Sequence, residues 1–253
     1  MEAKTATQTS LSSLTTIGVL GSSGRMGQAI KRLLVQDHAH EARLDIEINR
    51  TYQGEFLSDA VKLDVLIDVS LPEPCEMRLK ELLSLGEQMH LPSVVIGSTG
   101  WSASQLKTID AYSKRAPILM SANFSPAINL FLGLLEQISP RMKAWGYDVS
   151  LFESHHKKKL DSPSGTAKAL LSKIEAADLK PQVSCVRAGN IVGTHQVSFV
   201  GPQDIFEIRH EALDRDLFAK GAILAALWLD RQLEQGQITP GKYQMKDVIF
   251  GRS

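Results

Sequence analysis

The sequence has few cysteines and no excess of either charge. Its 253 residues include two cysteines, Cys75 and Cys185, and neither belongs to a CxxC pair or a Cys/His cluster. A disulfide framework and a metal site are therefore not expected, and a reducing, cytoplasmic location is. Lysine plus arginine and aspartate plus glutamate both total 28, so the formal net charge is zero. Nucleic-acid-binding proteins usually carry a basic excess, and we predict no nucleic-acid partner.

The sequence also lacks a long hydrophobic run. The longest, 222–229, falls well short of the ~18 residues that a membrane-spanning helix requires. The first sixteen residues are rich in serine and threonine, include no arginine and form no apolar segment of the secretory type. We therefore predict neither a membrane partner nor a secretory signal, and we interpret residues 1–14 as a flexible, solvated tail.

The front half contains a regular alternation of strand and helix patterns. Apolar, β-branched runs suited to buried strands alternate with stretches whose apolar residues recur at helical spacing. This order predicts a parallel sheet with right-handed crossovers, which is an α/β domain. The predicted strands are 16–20, 44–49, 61–69, 93–97 and 117–122, and two of the predicted helices between them are 76–87 and 103–113.

The back half has a different pattern. Four runs read as strands without a helix between each pair, which indicates an antiparallel or mixed sheet and a second, smaller α+β domain. A helix with a strong apolar face is predicted at 217–233, near the end of this half. The four predicted strands are 148–154, 183–187, 195–200 and 205–210.

Three glycines, Gly21, Gly24 and Gly27, are spaced by threes between the first strand and the first helix. In this position the first glycine allows a tight turn, the second lets the backbone approach a pyrophosphate, and the third permits close packing of helix and strand. The phosphates would sit on the helix N-terminus. The usual dinucleotide fingerprint is GxGxxG, so this variant indicates a nucleotide site only together with its flanking strand and helix; a tight turn without ligand is the alternative.

The end of the second predicted strand bears on the choice of nicotinamide cofactor. An acidic residue there would bond the ribose 2′-hydroxyl, whereas an arginine accommodates a 2′-phosphate. This chain has Asn49 followed by Arg50. Asparagine does not repel phosphate and arginine can pair with it, so we predict that NADPH is preferred, with NADH possible. The alternatives are that Glu47 faces the ribose or that Arg50 is only a solvated loop residue.

Two further loops follow the fourth and fifth predicted strands. Gly97-Ser98-Thr99-Gly100 and Ser121-Ala122-Asn123-Phe124-Ser125 both stand at the carboxyl ends of parallel strands, where such folds bind ligands. Their small residues would let a nicotinamide ring lie against the backbone. The alternative for each loop is an ordinary turn between strand and helix.

The segment 153–167 carries the most chemical information. Five consecutive side chains, from His155 to Lys159, can be positively charged, and Ser164 is placed to cap the helix that follows. The free N–H groups of Gly165 and Thr166 would add to an anion site. Most charge runs are solvated loops, but this one lies between a strand and a capped helix. It also contains histidine, which titrates near neutral pH and could donate a proton once a dianion is bound.

Together these features predict hydride transfer to a small polyanionic acceptor, completed by protonation. A metal is not required, because cationic side chains already hold the substrate. The remaining histidines have no ligand spacing, so we expect them to be surface or satisfied core residues; they are His38, His40, His90, His195 and His210.

The motifs resemble the 4-hydroxy-tetrahydrodipicolinate reductase (dihydrodipicolinate reductase) family. The resemblance covers roughly residues 16–250, and its strongest element is the pattern HHxxKxDxPSGT at 155–166. Supporting stretches are 187–193, 218–222 and 243–248. The family implies a Rossmann-like dinucleotide domain, here 15–125 with a returning C-terminal segment 234–253. It also implies a substrate-binding domain, 126–233, whose mixed sheet builds a homotetramer, and reduction of a cyclic dicarboxylate in the diaminopimelate route to lysine.

The resemblance also assigns roles to residues at matching positions. His155 corresponds to the proton donor, and Lys159 to a second catalytic residue that holds a substrate carboxylate. His156, Gly165 and Thr166 resemble the family's substrate-binding residues. The implied cofactor contacts are Gly21, Ser22, Ser23, Gly24, Arg25, Met26, Asn49, Arg50, Gly97, Ser98, Thr99, Ser121, Ala122, Asn123 and Phe124.

Two other functions were weighed. A two-domain dehydrogenase acting on a phosphorylated aldehyde would need a nucleophilic cysteine in its cleft. Cys75 follows two prolines after the third strand and Cys185 lies in a predicted strand, so neither fits. A nucleotide-binding sensor without turnover would not require the His155 and Lys159 pair.

Overall fold

The structure is a computed structural model that describes residues 14–251, so the predicted tail lies almost entirely outside the described residues. It contains a six-stranded and a four-stranded sheet. In chain order the elements are β1 (Thr15–Leu20), α1 (Arg25–Gln36), β2 (Ala42–Ile48), α2 (Phe56–Ala60), β3 (Val65–Asp68), α3 (Pro72–Leu83), β4 (Ser93–Ile96), α4 (Ala103–Tyr112), β5 (Pro117–Met120), α5 (Pro126–Ala144), β6 (Asp148–His155), α6 (Gly165–Glu175), β7 (Gln182–Arg187), β8 (Gly193–Val200), β9 (Ile205–Ala212), α7 (Asp216–Glu234), β10 (Gly241–Tyr243) and α8 (Met245–Phe250).

The six-stranded sheet is parallel throughout, in the order β10-β5-β4-β3-β1-β2. The predicted Rossmann-like α/β architecture is therefore confirmed. The chain runs from β1 outward to β2 and then returns to the other side of β1, so the direction of winding reverses between β1 and β3. Ligands of such sheets bind outside the carboxyl ends of the strands at this reversal. The glycine turn follows β1 at that point.

Among the boundaries that differ from the prediction in this domain, the largest differences are at the third strand and at the helix that follows it. The third strand begins at Val65, not at 61, because α2 occupies 56–60 and the Asp64 carboxylate accepts hydrogen bonds from the Thr16 N–H and hydroxyl. Helix α3 begins at Pro72, four residues earlier than predicted. Proline at the first helical position has its φ preset and needs no N–H partner there, which favours this earlier start. The edge strand β10 was not predicted.

The four-stranded sheet has the order β7-β6-β8-β9. Strands β6, β8 and β9 are antiparallel neighbours, whereas β7 pairs parallel with β6 because helix α6 carries the chain back between them. The sheet is therefore mixed, as predicted. Helices α5 and α6 pack together on one side of it, and their buried apolar residues form one core with those of β6 and β8.

Helix α7 packs on the parallel sheet. Its small residues contact α1, β3 and β4, and they share a core with β1 and α1. The approach is close: a Cβ added to Gly221 would lie 1.8 Å from the carbonyl oxygen of Phe124. An alanine- and glycine-rich face permits this packing. The division of the chain into domains at residues 125 and 233 stays a prediction.

Candidate active site

The glycine turn after β1 has the geometry expected of a phosphate cradle. Gly21 has a φ of +86°, which is favourable only for glycine, and a Cβ on Gly27 would stand 2.3 Å from the Gly21 carbonyl oxygen. Gly24 is the N-cap of α1 and supplies no side-chain cap. The first N–H groups of α1 are therefore left to a ligand. Backbone that only glycine can form, facing an uncapped helix end, fits a dinucleotide pyrophosphate.

A cavity beside this turn contains the predicted selectivity residues. Asn49 accepts hydrogen bonds from the Thr51 N–H and hydroxyl, which holds its amide in the loop. Arg50 is exposed and has no ion pair among residues 14–251. Glu47 pairs instead with Lys31 at 2.5 Å and does not line the cavity. The lining residues include Gly21, Ser23, Gly24, Asn49, Arg50, Tyr52, Ser70 and Arg78.

Arg78 is a cavity residue that the sequence motifs did not indicate. It lies on α3, its guanidinium stands 4.5 Å from the Phe56 ring centroid, and it pairs with Glu81 at 2.7 Å. These contacts hold a second positive charge beside Arg50. In the sequence, Arg78 is simply a basic residue on the helix after the third strand. Whether its side chain faces the cavity depends on how that helix packs, which the local sequence does not show.

The loops after β4 and β5 are organised from within the first domain. Ser98 is buried, and its hydroxyl donates to Asp68 at 2.6 Å. Phe124 is also buried and packs over Gly97, where a Cβ would lie 2.9 Å from the ring. These side chains therefore shape the loops. Within the described chain, the cavities that adjoin these loops are lined instead by Thr99, Ser121, Ala122 and Asn123.

These loops meet the second domain across a cleft of about 540 Å³. Asn123 donates to the Thr166 hydroxyl at 3.0 Å, which ties the β5 loop to helix α6. The structure thereby brings together most of the predicted catalytic and substrate residues with the nicotinamide end of the predicted cofactor site. The cleft residues are Thr99, Ser121, Ala122, Asn123, Ile128, Asn129, Leu132, His155, Lys159, Asp161, Ser164, Gly165, Thr166 and Ala169. They include no cysteine.

Helix α6 presents its N-terminus to this cleft. Ser164 caps it as predicted, because its hydroxyl accepts from the Ala167 N–H at 3.1 Å. The Asp161 carboxylate lies 2.9 Å from the Lys159 ammonium. The pKa of Asp161 is lowered, first by Lys159 and also by the Gly165 N–H. The Asp161 carboxylate thus already contacts the Lys159 ammonium and the N-terminus of α6, the same groups that would bind an anionic substrate.

His156 lies in a different cavity from its neighbour. It faces Arg25, Lys158 and Arg215 rather than Lys159. The alternation of a strand explains this, since adjacent side chains at the end of β6 point to opposite sides. The structure therefore separates His156 from the other predicted substrate residues and puts it opposite the glycine turn.

His155 is 7% exposed and lies at the end of β6. Burial lowers the pKa of His155, the Glu153 carboxylate raises it, and Lys159 and Arg187 lower it again; the net shift is downward. A bound dianion would act in the opposite direction and favour the protonated ring. Because its pKa is lowered, the His155 ring needs a nearby negative charge, such as a bound dianion, to be protonated at neutral pH.

His195 is a core residue, as expected, but it is only partly satisfied and it adjoins the site. Its Nε2 lies 3.2 Å from the Ser164 hydroxyl, whereas its Nδ1 is buried without a hydrogen bond. Its ring stands 5.1 Å from that of His155 in an edge-on arrangement. Its pKa is lowered to about 4 by burial and by the neighbouring His155. With Glu153 these rings form a cluster whose ligand atoms lie within 4.8 Å of one another, close enough in geometry for a metal ion. The Arg187 guanidinium already neutralises Glu153 at 2.7 Å, however, and opposes a further cation.

A nucleotide cradle on one domain faces a buried histidine, a lysine and a helix N-terminus on the other, and this arrangement defines a two-domain, nicotinamide-dependent oxidoreductase. Family comparison agrees: models described as "Dihydrodipicolinate reductase, N-terminus" and "Dihydrodipicolinate reductase, C-terminus" match residues 15–124 and 127–249. The chain belongs to the dihydrodipicolinate reductase family. It is an oxidoreductase of the diaminopimelate route to lysine, as the resemblance implied, and it uses a nicotinamide dinucleotide.

Individual relatives extend along nearly the whole chain. A 4-hydroxy-tetrahydrodipicolinate reductase of Caulobacter vibrioides is 34% identical over 92% of this chain and 96% of its own length. One from Bdellovibrio bacteriovorus is also 34% identical, over 94% and 97%. The solved structure of a dipicolinate-bound dihydrodipicolinate reductase from Paenisporosarcina sp. TG-14 has the same fold. Its TM-score is 0.72 at 19% identity, covering 92% of this chain and 98% of that one.

Within residues 14–251, none of the helices combines the length and the apolar character that crossing a membrane would require.

Proposed function

We propose that this reductase transfers a hydride from NADPH, in preference to NADH, to 4-hydroxy-tetrahydrodipicolinate, with His155 as proton donor and loss of water giving tetrahydrodipicolinate. The observation that carries the proposal is the single cleft in which His155, Lys159 and the N-terminus of α6 face the loops after β4 and β5. The reduced nicotinamide supplies the hydride when it is bound. The chain's own residues bind the acceptor, orient it and handle the proton.

The dicarboxylate is held by positive charge and by free N–H groups. Lys159 supplies a charged donor, and the first N–H groups of α6, at Gly165 and Thr166, point into the cleft with the positive end of the helix dipole. Asp161 now shares these groups, and a substrate carboxylate would compete with it for them. Two carboxylates on one small ring would fix its orientation, which positions it for hydride transfer.

His155 is placed to complete the addition. Its ring is buried at the edge of the same cleft, so its proton is not shared freely with bulk water. A bound dianion favours the imidazolium, and transfer of that proton to the substrate leaves a neutral ring. His155 is therefore protonated when substrate is bound, and it becomes neutral when it gives its proton to the substrate.

The preference for NADPH rests on charge beside the ribose. Asn49 puts no negative charge there, Glu47 is engaged by Lys31, and two guanidinium groups, Arg50 and Arg78, line the cavity. Arginine binds phosphate through paired donors. Arg50→Ala should raise KM for NADPH much more than KM for NADH. An equal change for both cofactors would remove Arg50 from the recognition of the 2′-phosphate.

We also propose a cytoplasmic homotetramer assembled through the four-stranded sheet. Apolar side chains are exposed on the face of this sheet that points away from α5 and α6, among them Phe152, Val186, Val200 and Ile205. Exposed apolar patches of this kind mark protein–protein contacts. Both cysteines are free, in keeping with a reducing compartment. Light scattering of the purified protein tests the assembly: four copies are expected, and a monomer at micromolar concentration would refute it.

The activity is tested with freshly prepared 4-hydroxy-tetrahydrodipicolinate, following the absorbance of each reduced cofactor. Oxidation of NADPH should depend on the substrate and should be inhibited by dipicolinate, a planar dicarboxylate that cannot accept the hydride in the same way. Cofactor oxidation that does not depend on the substrate, or no oxidation with either cofactor, would overturn the proposal. A higher kcat/KM with NADH would overturn the preference alone.

A further inference from the structure

Glu153 is a buried carboxylate directly behind the proposed proton donor. It precedes His155 by two residues on β6, so both side chains project from the same face of the sheet. Its relative exposure is 0%. Burying a carboxylate costs free energy unless it is paired. The groups that contact Glu153 therefore indicate what a carboxylate does at this buried position.

The two carboxylate oxygens have different surroundings. Oε1 accepts from the Arg187 guanidinium at 2.7 Å and from the Ser164 N–H at 3.1 Å. Oε2 accepts no hydrogen bond and lies 3.3 Å from Nδ1 of His155 and 3.8 Å from Nε2 of His195. Burial alone would raise the pKa of Glu153, but the bonds from Ser164 and Arg187 bring it to about 2. The free oxygen is thus negatively charged and faces two imidazoles.

The imidazole of His155 also has two unlike edges. Nδ1 is buried and lies 3.3 Å from Oε2 of Glu153, but the angle of this contact is too unfavourable for a hydrogen bond. Nε2 is on the other edge of the ring, above Gly193, where an added Cβ would lie 3.0 Å from it. Catalytic hydrogen bonds are often poorly aligned before substrate binds and shorten in the complex.

Resting on the function proposed above, we propose that Glu153 is the positioning residue of His155. Its free oxygen keeps a proton on Nδ1, so that Nε2 is the nitrogen that exchanges protons with the cleft. The hydrogen bond at one ring nitrogen decides the state of the other. When Nε2–H is given to the substrate, the ring becomes the neutral Nδ1–H form, Glu153 remains ionised, and Nε2 takes up its next proton from solvent.

Strand pairing builds this arrangement. Glu153 is directly opposite His195 on β8, and His155 is opposite Arg187 on β7. The carboxylate thereby sits at the junction of three strands with its guanidinium partner fixed. The groups whose charge acts on His155 come from each neighbouring element, and Glu153 is the nearest anion; the others are Lys159 and Asp161 of the following loop, Arg187 of β7 and His195 of β8.

The direct test is a nuclear magnetic resonance titration of the histidine rings in the ¹⁵N-labelled full chain. In the native protein the neutral His155 ring should carry its hydrogen on Nδ1. In Glu153→Gln the midpoint of its titration should move to lower pH, because the anion that favours the charged ring is gone. Glu175→Gln, on the exposed side of α6, is the matched loss of one carboxylate and should leave the titration unchanged.

Kinetics supply a second readout. Activity that requires the protonated ring falls as pH rises through its pKa, so this fall should occur at lower pH in Glu153→Gln. At a pH above the native midpoint kcat/KM should drop about 10-fold for each pH unit by which the midpoint is lowered, because the protonated fraction of the ring falls by that factor. The dissociation constant for NADPH should not change. Glu153→Asp should recover part of the loss.

Two results would overturn the proposal: an unchanged His155 midpoint in Glu153→Gln, or a neutral native ring with its hydrogen on Nε2. If Glu153→Gln fails to fold because Arg187 is left unpaired, the measurement on the native ring still decides. Both ring measurements are made without turnover. Full activity in His155→Ala would refute His155 as the proton donor, but it would not affect the titration that tests Glu153. Failure of the proposed function and failure of the proposed role of Glu153 are therefore distinguishable.

Discussion

Asn123 donates a hydrogen bond of 3.0 Å to the hydroxyl of Thr166, and this bond joins the loop after β5 to the N-terminus of helix α6. It crosses the cleft in which the two reactants would meet. The alignment of the two domains is therefore set partly at the site itself. A change at this bond should affect substrate more than cofactor.

We expect Thr166→Val to raise KM for the dicarboxylate roughly 2- to 10-fold, the effect of losing a neutral hydrogen bond worth ~0.5–1.5 kcal/mol. The helix should remain, because Ser164 supplies its cap. Thr166→Ser keeps the hydroxyl and serves as the control. Steady-state kinetics at saturating cofactor measure the effect, and a loss as large in the serine variant would show that the bond is not its cause.

The two later glycines of the turn should behave differently. A Cβ on Gly27 would meet backbone at 2.3 Å, whereas one on Gly24 would meet only the Gly21 carbonyl, at 3.3 Å. Gly27→Ala should therefore destabilise the fold by about 1–3 kcal/mol and weaken cofactor binding. Gly24→Ala should weaken binding with little change in Tm, because its Cβ would point at the phosphates. Thermal unfolding and cofactor titration separate the two, and equal Tm losses would contradict this view.

His155→Ala should lower kcat by roughly 10²–10⁴-fold, the usual contribution of general acid catalysis. The dissociation constant for NADPH should stay the same, since the ring lies in the substrate cleft. His40→Ala, an exposed histidine between α1 and β2, is the matched control. Native turnover in His155→Ala would assign the proton to another group.

Lys159→Ala should raise KM for the dicarboxylate roughly 10- to 100-fold, because it removes a charged hydrogen bond of ~1.5–3 kcal/mol. It should also lower kcat if the ring loses its orientation. Lys157→Ala removes the same charge from an exposed position outside the cleft lining and should have little effect. Equal effects of both variants would indicate a general field rather than a bound carboxylate.

The buried Asp68 should make stability depend on pH. Burial raises the pKa of Asp68 above its ordinary value of 3.8, against hydrogen bonds from Ser70 and Ser98. The stability this group contributes is present below its unfolded pKa and is lost as pH rises through the raised folded value. Asp68→Asn should therefore gain stability relative to the native protein as pH rises. Urea unfolding of both proteins at a series of pH values, from below the ordinary pKa of 3.8 upward, measures this, and a difference of opposite sign would refute it.

Much of the fold and part of the site could be predicted from residues that are close together in the sequence. The glycine turn, the cap at Ser164 and the motif that begins at His155 each depend on residues close together in the chain, and the structure has the turn and the cap where the sequence predicted them. The alternation of strands and helices likewise indicated the parallel sheet, because each unit is read from its own periodicity.

Features that depend on distant pairing were not predictable in this way. The partners of Glu153 come from β7 and β8, and nothing in the local pattern gave their register. The sequence predicts only a surface or satisfied core position for His195, because its contact with His155 depends on the same strand pairing. The packing of helix α7 is not readable from its periodicity either, because an alanine-rich face can pack on either sheet.

The backbone of Phe124, just before α5, is in contact with that of Gly221, near the start of α7. The two stretches that connect the parallel sheet to the four-stranded sheet therefore run side by side. A rotation about this line would widen or narrow the cleft without pulling the two stretches apart. It would change the distance between His155 and the loops after β4 and β5.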